Sequence, residues 1–296
     1  MPRHDDMPER LQRYLGGALP PGESSSTTAK PKHRNISRAS ATPTSRVASH
    51  FGTRRATLED AAPGYAIRVP ERGSAYKIIT PVREGKDGDL PRASFATAFS
   101  SPETPFQQRL YARCRTTALP EDVLFFDLET TGLGQTPLFL IGIMTWEGDN
   151  LVVRQFFARD YREEAAVIQS FLDMAAEKRL LISFNGKSFD LPMVYQRAES
   201  QELPCVLHAQ HFDLLHECRR VWRTQLPNCQ LQTLEQHICG HPPRSDDIPS
   251  DKIPAAYTAF LVNGNALQIA QIIRHNVLDL LTMAELLAKL PPLESA

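Results

Sequence analysis

The chain has 296 residues and a nearly balanced charge, 33 Lys+Arg against 34 Asp+Glu, which excludes a uniformly basic nucleic-acid coat and an acidic solvating polymer. A hydrophobic content of 42% is enough for a core without disulfides. No apolar run approaches the ~20 residues that cross a bilayer, and the acids Asp5, Asp6 and Glu9 are unlike a secretory signal.

The balance conceals two unlike parts. Residues 1–120 hold 19 Lys+Arg and 11 Asp+Glu, whereas residues 121–296 hold 14 and 23. From about Gly16 to Arg55 the chain is rich in Pro, Ser, Thr, Ala and Arg and has no apolar period, so residues 1–60 read as a disordered basic leader. Residues 64–82 contain two short β-rich runs around Glu71-Arg72-Gly73, a hairpin expected to dock on the following domain. Residues 83–120 read as a linker with one short helix near 107–115, so that 61–120 is hairpin plus linker and 121–291 is the domain proper.

From Asp122 the signals become dense. VLFFDLE (123–129), PLFLIGIMTW (137–146) and LVVRQFFA (151–158) read as a three-strand antiparallel meander, with Gly148-Asp149-Asn150 as a turn. Residues 162–177 have helical spacing, 179–185 form a buried strand, a helix starts near FDLPMV, and 208–216 give a fifth strand leading into another helix. The last and longest helical pattern, 266–290, stops at Pro291-Pro292. The expected fold class is α/β: a mixed five-stranded sheet, three antiparallel strands then two parallel, flanked by helices. Trp146 and Trp222 are expected in the core or at its edge. The five cysteines contain no C-x-x-C pair and fit a reducing cytoplasm, and His237, Cys239 and His241 match no common zinc spacing.

The chemistry lies in the acids. Asp127 and Glu129 are two apart at the end of the first strand of the meander, so both carboxylates leave one face. Acids closing an apolar strand are expensive to bury without a cation, and a divalent metal is the natural partner. A D-x-E tripeptide alone is common and can simply cap a strand. Asp190, in NGKSFD, is read either as a helix cap or as a ligand. Asp279, in HNVLD, shares a helix face with His275, and the pair is either solvated or functional. Asp213 is read as a structural acid near the following helix, and Arg219, Arg220 and Arg223 as a solvated helix face.

The order DLETTG, NGKSFD, HNVLD resembles the three motifs of the DEDD exonuclease superfamily, which has the ribonuclease-H-like fold. The FLIG, DLLHECRRVW, LPNCQLQTLEQHICG and DDIP segments are similar to the YprB-type nucleases within it. The resemblance runs from about Asp122 to Leu290. It implies Asp127, Glu129, Asp190 and Asp279 as ligands of two divalent ions, Mg²⁺ or Mn²⁺, and His275 as general base. It further implies Thr130, Thr131 and Leu133 as substrate-binding positions, with Asn185 and Lys187 as further candidates. His275 stands four residues before the last acid, the usual spacing of the Tyr-bearing subgroup; five is usual where the base is His. The implied activity is two-metal phosphodiester hydrolysis, 3′ to 5′, on nucleic acid. The alternative is a non-catalytic nucleic-acid-binding or scaffold protein that kept the fold. The expected location is cytoplasmic, away from membranes.

Overall fold

A computed structural model describes residues 55–82, 92–132, 134 and 136–293 of the chain. Most of the expected leader, residues 1–54, lies outside the described residues. Its expected end at residue 60 is too late, because the chain is already docked before that point. Helix α1 (Leu58–Ala61) is capped by the Thr57 hydroxyl, which accepts from the Asp60 N–H, and Leu58 is buried. The Ala56 N–H donates to Asn265 Oδ1 at 3.2 Å, and Ala266 N–H donates back to the Ala56 carbonyl at 3.0 Å. A four-residue helix is too short to display a period, which is why it is silent in the sequence.

Seven strands form one sheet: β1 (Tyr65–Val69), β2 (Gly73–Pro81), β3 (Val123–Thr130), β4 (Leu138–Glu147), β5 (Asn150–Phe157), β6 (Leu180–Ser183) and β7 (Gln210–Asp213). Their order is β1-β2-β5-β4-β3-β6-β7. The five strands expected within 121–291 are present, β3 to β5 antiparallel, then β6 parallel to β3 and β7 parallel to β6. The hairpin goes further than docking. β2 pairs antiparallel with β5 from Tyr76↔Phe157 to Pro81↔Val152, extending the sheet from five strands to seven. Backbone hydrogen bonding satisfies the edge of β5, and Tyr76, fully buried, donates its hydroxyl to the Ala62 carbonyl at 3.0 Å.

The expected linker is also structured. Helices α2 (Arg92–Ala98) and α3 (Pro105–Cys114) lie against one sheet face, where Phe95 stacks on Trp146 with ring centroids 5.5 Å apart and Phe106 meets Phe212 edge-on at 5.6 Å. Burying each such ring stabilises the fold by about 1.5–3 kcal/mol. The few apolar residues of this stretch are too widely spaced to announce a packed layer, yet they complete the core beneath β3 and β4. Residues 83–91 lie outside the described residues.

Helices α4 (Glu164–Ala176), α5 (Asp190–Ser200), α6 (Leu214–Trp222), α7 (Leu231–His237), α8 (Ile253–Asn263) and α9 (Leu267–Ala288) complete the layers. One core cluster gathers α4, α5 and α8 over Leu124, Phe126 and Leu128; the other gathers α2, α3, α6 and α7 over Val123 and Phe125. Trp146 and Trp222 are both buried in the second. Helix α9, 22 residues and so ~33 Å long, serves both: Ile269, Ile272 and Ile273 belong to the first cluster, and Val277 to Leu287 to the second. The changeover falls at Arg274-His275-Asn276.

Glu164, almost fully buried at the start of α4, ties the layers near the end of α5. It accepts from the Leu138 N–H at 2.8 Å, from Arg197 Nε and Nη2 at 2.7 and 2.6 Å, and from Gln201 Nε2 at 2.7 Å. Four donors offset the desolvation of one carboxylate and lock α5 to α4 and to the start of β4.

Candidate active site

Along β3 the even residues Leu124, Phe126 and Leu128 face the first cluster, so Asp127 and Glu129 leave the opposite face with Val123 and Phe125. β6 pairs with β3 only from Val123 to Phe125, so the acid-bearing end of β3 runs past it, and its register with β4 shifts at Glu129/Thr130. A bulge at the end of a strand re-aims side chains out of the sheet plane.

Three further elements converge on this end. Asp190 is the first residue of α5 and is buried. The backbone at Asp190 itself and at Leu128 favours the ionised form of its carboxylate. Asp279 and His275 come from α9. Asn276, fully buried on the same helix, donates Nδ2 to Asp127 Oδ2 at 2.8 Å and to the Asp127 carbonyl at 3.2 Å. Its Oδ1 accepts from Gln155 Nε2 at 2.8 Å, and that nitrogen also donates to the Ile273 carbonyl. The close approach of α9 requires Gly142, which pairs with Asp127 across β3 and β4: a Cβ there would lie 1.8 Å from Asn276 Oδ1.

The four acids sense one another. Burial, followed by the charges of Asp279, Glu129 and Asp190, holds the Asp127 carboxyl well above the usual carboxylate range. Burial raises Glu129 to about 8; His275 opposes the rise, and Asp279 and Asp190 add to it. Burial also raises Asp190 to about 7 against its own backbone hydrogen bond, with Asp213 and Asp279 contributing. His275 rises to about 10 despite its burial, because Asp279, Asp247 and Glu129 favour the imidazolium. Such mutual repulsion among buried acids marks a place short of positive charge.

The ligand set fits hard divalent cations in its chemistry, since all four groups are carboxylate oxygens. Among the described residues, no three His, Cys, Asp or Glu side chains stand close enough to hold an ion as they are. The reason is visible at two of them. Asp127 turns Oδ2 to Asn276, and Asp279 turns to cations of the chain itself: Oδ1 lies 2.7 Å from Arg244 Nη2 and Oδ2 lies 3.4 Å from His275 Nε2. The Arg244 contact is not aligned as a hydrogen bond, leaving Asp279 Oδ1 buried without one. Side-chain rotation at Asp127 and Asp279 would therefore be part of metal uptake.

The other sequence candidates are distributed around this centre. Thr130 is buried and donates its hydroxyl to the Gly132 carbonyl at 2.7 Å. Thr131 is half-buried and gives both its N–H and its hydroxyl to the Pro137 carbonyl, at 2.9 and 3.2 Å. Leu133 lies outside the described residues. Asn185 is exposed at φ +69°, a left-handed position that Asn tolerates well, and serves the turn. Its N–H and that of Lys187 donate to the two Asp213 oxygens at 2.9 and 3.0 Å, while the Leu215 N–H also reaches Asp213 Oδ1. Asp213 thus organises the turn before α5 and caps α6. The exposed Lys187 side chain bears on Cys114 and His211.

Sequence reasoning left Asn276 unassigned and did not single out Gly142, Gln155, Arg244 or Asp247. Asp247 lies in the DDIP segment that contributed to the resemblance, but no local pattern connects it with His275, 28 residues away.

Comparison with known proteins places the chain as follows. The family model of the RNase_H superfamily matches residues 124–291, more than half of the chain. An uncharacterized protein, YprB, of Bacillus subtilis (strain 168) is 33% identical over 170 residues, 56% of this chain and 41% of that protein, so the match spans about two fifths of its length. Among solved structures, a family B DNA polymerase from the hyperthermophilic archaeon Pyrobaculum calidifontis superposes with a TM-score of 0.47 at 19% identity, covering 58% of this chain and 24% of that one. Among the described residues no helix is long and apolar enough to cross a membrane.

Proposed function

The chain belongs to the RNase_H superfamily, and from that premise we propose that it is a metal-dependent nuclease that hydrolyses phosphodiester bonds of nucleic acid, working 3′ to 5′ from an end. The observation that carries the reading is the convergence of Asp127, Glu129, Asp190 and Asp279 from β3, α5 and α9, where burial and neighbouring acids hold Asp127, Glu129 and Asp190 above the ordinary carboxylate range. Acids do not gather in this way to stabilise a fold.

In the mechanism, Asp127, Glu129, Asp190 and Asp279 would hold two divalent ions, Mg²⁺ or Mn²⁺. Such ions supply Lewis-acid activation of water and stabilisation of the leaving 3′-oxygen. Asn276 fixes Asp127, so that ligand is held by the scaffold. His275 carries a proton near neutral pH because Asp279 and Glu129, among the acids around it, favour the imidazolium. Neutralising them lowers it toward the ordinary imidazole range, where Nε2 can accept a proton from water. Thr130, Thr131 and Leu133 would receive the terminal nucleotide, and Lys187 a backbone phosphate. Residues 121–291 would carry the chemistry, with the basic residues before them adding affinity. Cysteine usage supports a cytoplasmic setting, since the five cysteines contain no C-x-x-C pair and fit a reducing compartment.

One observation favours the second reading, a nucleic-acid-binding protein that kept the fold and lost catalysis: the Arg244 guanidinium already offsets Asp279. A single assay separates the two. Single- and double-stranded DNA and RNA, labelled at either end, are incubated with Mg²⁺ or Mn²⁺ beside the Asp127→Asn variant. A ladder shortening from the 3′ end, abolished in the variant, is the expected result. Binding without cleavage supports the second reading, and cuts in closed circles replace the exonuclease with an endonuclease.

A further inference from the structure

The segment between α7 and α8 is pinned to α9 just where the helix passes from one core cluster to the other. Arg274 donates Nη2 to the Asp246 carbonyl, and the next residue along the helix, His275, meets Asp247: Nδ1 to Oδ2 is 2.8 Å. Both side chains of that pair are 6% exposed. Asp247 has further support. Its Oδ1 accepts from the Ile248 N–H at 3.1 Å, and Oδ2 lies 3.3 Å from both Arg244 Nη1 and Gln232 Nε2. Arg244 is itself held, donating Nε to Glu235 Oε2 at 2.7 Å.

We propose that Asp247 is a positioning residue for His275, accepting a hydrogen bond from its Nδ1–H so that the opposite nitrogen, Nε2, is the one presented to Asp279 and the reacting phosphodiester. The inference rests on the nuclease reading. An ionised carboxylate is acceptor-only, so its partner nitrogen must be the protonated one, and the hydrogen bond at one ring nitrogen sets the role of the other. The ring's direction follows from the same bond: with Nδ1 fixed to Asp247, Nε2 stands 3.4 Å from Asp279 Oδ2. Arg244, between Asp247, Glu235 and Asp279, ties the positioning acid and the α9 acid to one rigid group. His275 alone could rotate about its side-chain bonds, and Asp247 removes that freedom.

Steady-state hydrolysis is compared for the wild-type chain and for Asp247→Asn, Asp247→Glu, His275→Ala and the double variant Asp247→Asn/His275→Ala, with Mn²⁺ affinity measured separately by calorimetry. Partners of this kind are worth about 10- to 100-fold in activity. The expected result is a fall in kcat of that size for Asp247→Asn, with KM and Mn²⁺ affinity within about twofold, partial recovery in Asp247→Glu, and no further loss when Asp247→Asn is added to His275→Ala. The downfield Nδ1–H proton resonance of His275, assigned by its absence from His275→Gln, should move upfield in Asp247→Asn. An unchanged kcat, a double variant that loses as much again, or an unmoved resonance each overturn the proposal. Should the wild type show no metal-dependent hydrolysis at all, the nuclease reading fails instead. The resonance then decides the Asp247–His275 bond by itself.

Discussion

Asn276 Nδ2 lies 2.8 Å from Asp127 Oδ2, and this bond joins α9 to β3 at the place where both carry candidate acids. It exists because Gly142, opposite Asp127 on β4, leaves room for the amide. Gly142→Ala is expected to force α9 off the sheet, costing about 1–3 kcal/mol as overpacking does. Asn276→Ala leaves the backbone in place but frees Asp127 and removes one of the two acceptors of Gln155 Nε2, and Mn²⁺ affinity is expected to fall about 10- to 100-fold. Calorimetric metal titration beside thermal melting separates the two effects; an Asn276→Ala protein that binds Mn²⁺ as the wild type does would remove Asn276 from this role.

Replacing single acids should separate stability from activity. Asp127→Asn or Glu129→Gln replaces an acid that burial and its neighbours hold in an unfavourable state, so the metal-free variant should melt a few degrees higher, roughly 2–4 °C for each kcal/mol of relief. The same variants should lose hydrolysis and the stabilisation that added Mn²⁺ confers on the wild type. A variant that melts lower, with the metal response intact, would contradict the proposed site.

The metal-free protein should lose stability as pH rises from 5 to 9. Glu129 moves from 4.5 to about 8 and Asp190 from 3.8 to about 7, so between those limits the folded chain keeps protons that the unfolded chain has released. Folding is then favoured at low pH, and the advantage fades as pH climbs through the folded values. His275, raised from 6.5 to about 10, has the same sign in its own window. Saturating Mg²⁺ should flatten the curve, because the cation stabilises the ionised acids without a proton. Melting temperatures across that range, with EDTA and with Mg²⁺, check both statements; a metal-free curve that rises with pH would contradict them.

Residues 1–54 carry nine Lys+Arg against four acids ahead of an acidic domain. If they hold nucleic acid near the site, deleting them should weaken binding at low salt and make the fall of log affinity with log salt shallower, by about 0.7–0.9 for each phosphate that the segment neutralises. Deletion should stop at residue 54, since Ala56 and Leu58 pack on the domain. Identical salt slopes with and without the segment would make it a linker.

The strands β3 to β7 and the long last helix were legible because their apolar residues repeat at the period of their own backbone. The acids on them were legible because a carboxylate at the end of an apolar run stands out against its neighbours. Helices α1 and α2 and the edge pairing of β2 with β5 were not, since Phe95 and Leu58 are buried by surfaces distant in the chain and have no period of their own. The same holds at the site: Asn276 looked like any polar helix residue, and Asp247 like a loop acid.

Local pattern alone therefore determined the class of fold and the order of β3 to β7 with the last helix, and it marked the four acids and His275 as candidates. Only the tertiary structure decided what holds them. Gly142 admits Asn276 to Asp127, Asp247 takes the Nδ1 side of His275, and Arg244 stands beside Asp279. Periodicity is a property of neighbouring residues, whereas the direction of a carboxylate or an imidazole is set by hydrogen bonds to partners that folding brings from elsewhere in the chain.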